Sequence, residues 1–200
     1  LNGEWEFKYF ESIYDVPDAF YGNGYDTSGF GRISVPGVWQ MAGYGSHQYT
    51  NIRYPYPFDP PYVPQDIPSG AYVHTFTYQK DGKAPKAFLN FEGVDSCFYV
   101  WLNGFYVGYS QVSHGVSEFD VTSFLQEGKN RLAVLALKWC DGSYLEDQDK
   151  FRMSGIFRDV YLLKRPKRAV RDYHITTKVA EGSAAVNVDV CFSEPVDTKI

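Results

Sequence analysis

Apolar and polar positions alternate along most of this chain with a period of two, in short runs separated by turn residues. Residues 5–10 alternate from Trp5 to Phe10 and predict a half-buried strand. A shorter one over 32–35 is stopped by Pro36-Gly37. The pattern returns in AYVHTFTY (71–78) and AFLNF (87–91). In CFYVWLNGFYVGYS (97–110), Asn103-Gly104 joins two aromatic-rich runs, which is the signature of a tight hairpin whose turn needs positive φ at both positions. Asp120 is placed to cap one helical turn over 121–126, ended by Gly128. RLAVLALKW (131–139) is apolar almost throughout and predicts a strand buried on both faces, and RDVYLLK (158–164) adds another. Such a series of roughly eight strands with almost no helix is the mark of an antiparallel β-sandwich or barrel.

Two long segments break the pattern. Residues 38–68 are rich in Gly, Pro and Tyr, and six prolines between Pro55 and Pro68 exclude helix and any central strand. Proline lowers the entropy of the unfolded loop, so such a segment presents its aromatic side chains at little ordering cost. The second, WCDGSYLEDQDKFRMSGIFRDV (139–160), carries Asp141, Glu146, Asp147 and Asp149 among rings that have apolar area to bury. An ordered acidic and aromatic loop suits a polyol or a cation. The competing reading is structural, with these carboxylates pairing to Arg152 and Arg158 and the proline-rich loop serving as a rigid cover for a sheet edge.

Beyond Pro166 the character changes, and 168–200 reads as two or three strands that cannot bury a core of their own. The division expected is therefore 1–167 and 168–200. The net charge of −5 argues against a phosphate-backbone partner, and Lys164-Arg165 with Lys167-Arg168 is too short a basic cluster to change that. Cys97, Cys140 and Cys191 are odd in number and lack metal-binding or CxxC spacing, which favours a reducing compartment. No apolar run reaches the length of a membrane span. A cytoplasmic location is therefore the expectation, with periplasm or secretion left open because the chain opens on Leu1 rather than Met.

Familiar catalytic patterns are missing. There is no GxSxG, no HExxH and no phosphate loop. Two carboxylates suffice for glycosidic hydrolysis, and Asp147 with Asp149 form a conceivable pair. Both sit in a polar loop beside Glu146 and Arg152, however, whereas a general acid needs an apolar pocket to raise its pKa. The residues themselves favour sugar binding over sugar cleavage.

The strings LNGEWEF, VPGVWQMAGYG, YTNIRYPYPFDPPYVPQDIPSGAY, FEGVDSCFYVWLNGFYVGYSQ, SEFDVTSFLQEGKNRLAV and DGSYLEDQDKFRMSGIFRDVYL resemble, in order, the amino-terminal part of the large bacterial β-galactosidases of glycoside hydrolase family 2. The resemblance implies a jelly-roll, galactose-binding-domain-like β-sandwich followed by the start of an immunoglobulin-like sandwich. It implies a non-catalytic role, since in that family the two reacting glutamates belong to a TIM barrel. That barrel cleaves terminal β-D-galactosides with retention, and the whole enzyme is expected to be a homo-oligomer with no nucleic-acid or membrane partner. Carried over by motif, Asn51 of YTN is implied to reach the galactose, and Asp149 of EDQD to contact both galactose and a sodium ion. Gln111 of GYSQ and Asp141 of WCDGS are implied as magnesium ligands. Lys150-Phe151 departs from the family's usual hydrophobic-Trp pair. Alternatives are a stand-alone carbohydrate-binding module, a β-glucuronidase or β-mannosidase domain of the same family, and a purely structural sandwich.

Overall fold

Alternation of this kind, repeated over many short runs, buries one side of every strand, and the chain resolves it by stacking two antiparallel sheets. The computed structural model describes residues 1–146, 148–195 and 197. Among them the strands are β1 (Gly3–Phe10), β2 (Gly31–Val35), β3 (Gln48–Thr50), β4 (Ser69–Tyr78), β5 (Lys86–Phe91), β6 (Val94–Asp95), β7 (Cys97–Leu102) and β8 (Phe105–Gln111). They continue as β9 (Ser117–Asp120), β10 (Gly128–Leu137), β11 (Lys150–Arg152), β12 (Gly155–Ile156), β13 (Val160–Arg165), β14 (Val170–Ala180) and β15 (Ser183–Phe192). Helix is confined to short 3-10 turns at Ile13–Asp15, Trp39–Ala42 and Asp141–Leu145.

One sheet runs β2-β1-β4-β10-β7-β8 and the other β13-β5-β9, with every pairing antiparallel. Trp5 and Phe7 of β1, Tyr72 of β4, Phe98 and Val100 of β7 and Leu132 and Val134 of β10 meet Leu89, Phe91 and Val160 of the smaller sheet in one core. The alternate residues of β10, Ala133, Leu135 and Leu137, enter a second cluster with Phe10, Val73 and Phe20. That cluster is roofed by Ile13, Val16, Tyr21, Tyr25 and Phe30 from the turn-rich segment. The near-continuous apolar run of β10 therefore does have two dry faces.

Asn103 (φ 54°) and Gly104 (φ 83°) are both left-handed, as the predicted hairpin turn between β7 and β8 requires. The predicted helical turn is a single one: the Val121 carbonyl accepts from Phe124 and Leu125, and Asp120 Oδ1 accepts from the Thr122 N–H at 3.0 Å. SEFD, which precedes it, forms the strand β9. Four residues with two acids carry too little periodicity to announce themselves. β14 and β15 pair only with each other among the described residues, and their side chains are almost all exposed. The three cysteines are free.

Trp39 and Tyr72 form the buried hub beneath the loops, the indole N–H donating to the Tyr72 hydroxyl at 2.5 Å. Burial pushes the Tyr72 phenol far above its ordinary value. Gly70 lets this hub close, because a Cβ there would stand 2.7 Å from both the Phe7 and Trp39 rings. Gly70→Ala is expected to lower the stability of the chain by about 1–3 kcal/mol through overpacking, read as a lower midpoint in urea unfolding at unchanged slope.

Candidate functional site

The two segments that break the alternation find each other. Gly37 N–H bonds to Ile156 O at 2.8 Å and Trp39 N–H to Ser154 O at 2.9 Å. Gln40 Oε1 accepts from the Ser154 N–H at 3.0 Å. Further along, β3 pairs with β11 through Gln48↔Arg152, Tyr49↔Phe151 and Thr50↔Lys150. One residue beyond that register, Asn51 stands across from Asp149. The two loops thus form one antiparallel seam, ending in a two-stranded ribbon.

Period two assigns the ribbon its faces. Gln48, Thr50, Lys150 and Arg152 lie on one side, and the last three hold the ribbon to the body. Lys150 Nζ bonds Asp95 Oδ2 at 3.2 Å, and the buried Arg152 reaches Thr50 Oγ1 at 3.3 Å and the carbonyl oxygens of Glu146 and Gln148. Tyr49, Phe151, Asn51 and Asp149 lie on the other side, and all four are exposed. On that face the Tyr49 hydroxyl donates to Asp149 Oδ1 at 2.6 Å, and Asn51 follows two positions after Tyr49 on the same side. The bond to Asp149 holds the Tyr49 phenol above its ordinary value.

Below the ribbon, Tyr144 ties down the proline-rich loop. Its hydroxyl donates to the Tyr62 carbonyl at 2.6 Å and accepts from the Asp59 N–H at 3.1 Å, while its ring packs against Tyr54, Tyr56 and Phe58. The acids of the second loop divide their work. Glu146 is structural, its two oxygens accepting from the Ser113 N–H and hydroxyl at 2.6 Å each. Arg158 bonds the carbonyl oxygens of Glu92 and His114, not the loop carboxylates. Asp147, one member of the conceivable hydrolytic pair, lies outside the described residues.

Gln111 lies beside Gly142, the chain neighbour of Asp141. The Gln111 carboxamide lies 3.3 Å from where a Cβ on Gly142 would be, and its Oε1 accepts from the Tyr109 hydroxyl at 2.9 Å. Asp141 is exposed, with Oδ1 accepting from the Gly142 N–H at 2.8 Å. Two oxygen ligands suit a hard cation but fill only part of the roughly six positions magnesium demands. No cluster of three or more His, Cys, Asp or Glu able to hold a metal occurs among the described residues. Sequence reasoning missed Tyr49, whose hydrogen bond crosses the seam to Asp149 and leaves no local signal in the sequence.

Two clefts are formed elsewhere on the chain. One of about 520 Å³ is bounded by Phe88, Glu118, Arg165 and Ser193, and one of about 420 Å³ by Asn23, Thr75, Lys129 and Arg131.

A family model described as glycosyl hydrolases family 2, sugar binding domain, matches residues 1–166. This chain belongs to that family. Family membership agrees with relatives named β-galactosidase, from Actinobacillus pleuropneumoniae at 52% identity and Staphylococcus xylosus at 49%. Each alignment covers 95% of this chain but only 18% and 19% of the relative, so the chain spans about a fifth of their length. Among solved structures, a β-glucuronidase from an uncultured Clostridium superposes with TM-score 0.72 at 22% identity, over 97% of this chain and 33% of that one. A β-glycosidase from Bacteroides vulgatus gives 0.69 at 24%, over 99% and 24%. At these identities the likeness is one of fold.

Two outcomes follow from the geometry. Tyr144→Phe removes a hydroxyl that satisfies two backbone groups, and is expected to cost about 1–2 kcal/mol, seen as faster amide exchange confined to residues 54–62. Asp95 is the second: burial pushes its carboxyl from 3.8 up to about 6 despite Lys150. Between those values the folded chain binds a proton that the unfolded chain does not, so this group adds stability as pH falls through 6 toward 4. The gain is on the order of 2 kcal/mol relative to neutral pH, and Asp95→Asn should abolish it, measured as the difference between wild-type and variant unfolding free energies at pH 7 and pH 4.5.

Proposed function

We propose that this chain is the non-catalytic sugar-binding part of a β-galactosidase, lending Asn51 and Asp149 to the rim of a galactoside pocket whose reacting carboxylates lie on polypeptide outside it. The observation that carries this reading is the side-by-side placement of the two residues on the exposed face of a ribbon whose other face is anchored. A carboxylate and a carboxamide there can grip sugar hydroxyls by directed, charge-assisted hydrogen bonds. Support also comes from the names of the relatives near half identity. The glucuronidase-like fold does not favour a uronic acid, because its carboxylate would meet Asp149 and like charges at short range oppose binding.

Asp149 Oδ1 is engaged by Tyr49, and Oδ2 has no hydrogen-bond partner among the described residues. It is suited to a monovalent cation such as sodium, which would help orient one sugar hydroxyl. Gln111 and Asp141 would supply two ligands of a magnesium site completed by other groups.

In a full-length enzyme carrying this domain, Asp149→Asn is expected to lower kcat/KM for a galactoside at least about tenfold, or roughly 1.4 kcal/mol; unchanged kinetics would refute the assignment. Galactose titrated calorimetrically into the isolated chain should give no binding heat, since the ribbon is only a rim. Measurable affinity would favour a stand-alone carbohydrate-binding module instead.

A further inference from the structure

We infer that Tyr49 is the positioning residue that fixes Asp149 for the sugar. This inference rests on the rim reading above and adds to it a residue outside the pair that touches ligand. Tyr49 shares the outward face of the ribbon with Asp149 and Asn51. Its hydroxyl donates to Asp149 Oδ1 at 2.6 Å, so the carboxylate is tied to the strand that carries Asn51.

The ring that carries this hydroxyl is itself held. Phe151, directly opposite in register, packs on Tyr49 with centroids 5.5 Å apart, and His47 packs edge-on against Phe151 at 5.5 Å. Below, the Lys150–Asp95 and Arg152–Thr50 bonds keep the strands from rotating. The carboxylate of an exposed Asp otherwise samples several rotamers, and ordering it on binding costs affinity. A fixed phenol hydroxyl removes that cost equally in the ground state and the transition state. Binding of this uniform kind raises KM when lost and leaves kcat nearly unchanged.

The test uses a full-length enzyme carrying this domain, with Tyr49→Phe, Asp149→Asn and the double substitution. Tyr49→Phe keeps the ring against Phe151 and should leave the melting temperature unchanged. Its dissociation constant for a non-cleavable thiogalactoside, by calorimetry, is expected to rise about three- to tenfold, the range for a partly exposed charge-assisted bond. KM should rise in parallel, with kcat within about a factor of two. In the Asp149→Asn background the same substitution should lose most of its effect, because the two groups act through one bond. If Asp149→Asn weakens binding while Tyr49→Phe changes nothing, or if the two effects are additive, Tyr49 has no positioning role and the rim reading stands. If Asp149→Asn is itself silent, the rim reading falls and this inference falls with it.

Discussion

Backbone pairing between two loops is the constraint on which the site depends. Residues 37–50 and 150–156 run antiparallel, joined at Gly37–Ile156, Trp39–Ser154 and the β3–β11 ribbon. Each such bond nets only about 1 kcal/mol, and an isolated two-stranded ribbon is marginal in water. The seam persists because its base is buried: Trp39, Tyr72 and Ile156 are fully dry, and Arg152 lies beneath the ribbon. Its outward face is then free to carry polar residues that contribute nothing to the core. Prolines in the loop that follows β3 limit the unfolded alternatives, which makes ordering so many irregular residues less costly.

The same arrangement explains why a loop so dense in acids keeps few of them available. Glu146 is consumed by Ser113, and Asp141 turns back on the Gly142 N–H. Asp95, from a neighbouring strand, is half-buried against Lys150. Asp149 differs because the ribbon's alternation turns it outward, one step past the last paired residue. Position on a two-residue period, more than charge density, separates the candidate ligand residue from the structural ones.

The strands of the sandwich were legible in the sequence because their apolar residues obey one period over five or more positions, and β10 declared its two dry faces by having almost no polar residue. Asn103-Gly104 named its own turn. The seam was not legible. β3 and β11 are three residues each, too short for periodicity, and their partner is about 100 residues away. The loops were recognisable only as unusual in composition. Asn51 and Asp149 were singled out by their resemblance to a family motif, and nothing in their local spacing revealed that they would stand together. Tyr49 was overlooked because a tyrosine among many in an aromatic loop has no distinguishing local signal; its hydrogen bond crosses the seam.

The central claim is that these loops are joined in one register, and nuclear Overhauser contacts across the ribbon test it most directly in the chain itself. The account predicts backbone proton contacts between Thr50 and Lys150 and between Asn51 and Asp149, together with protected amides in β3 and β11. Free amide exchange through both loops, or contacts shifted by one residue so that Asn51 and Asp149 take opposite faces, would contradict it.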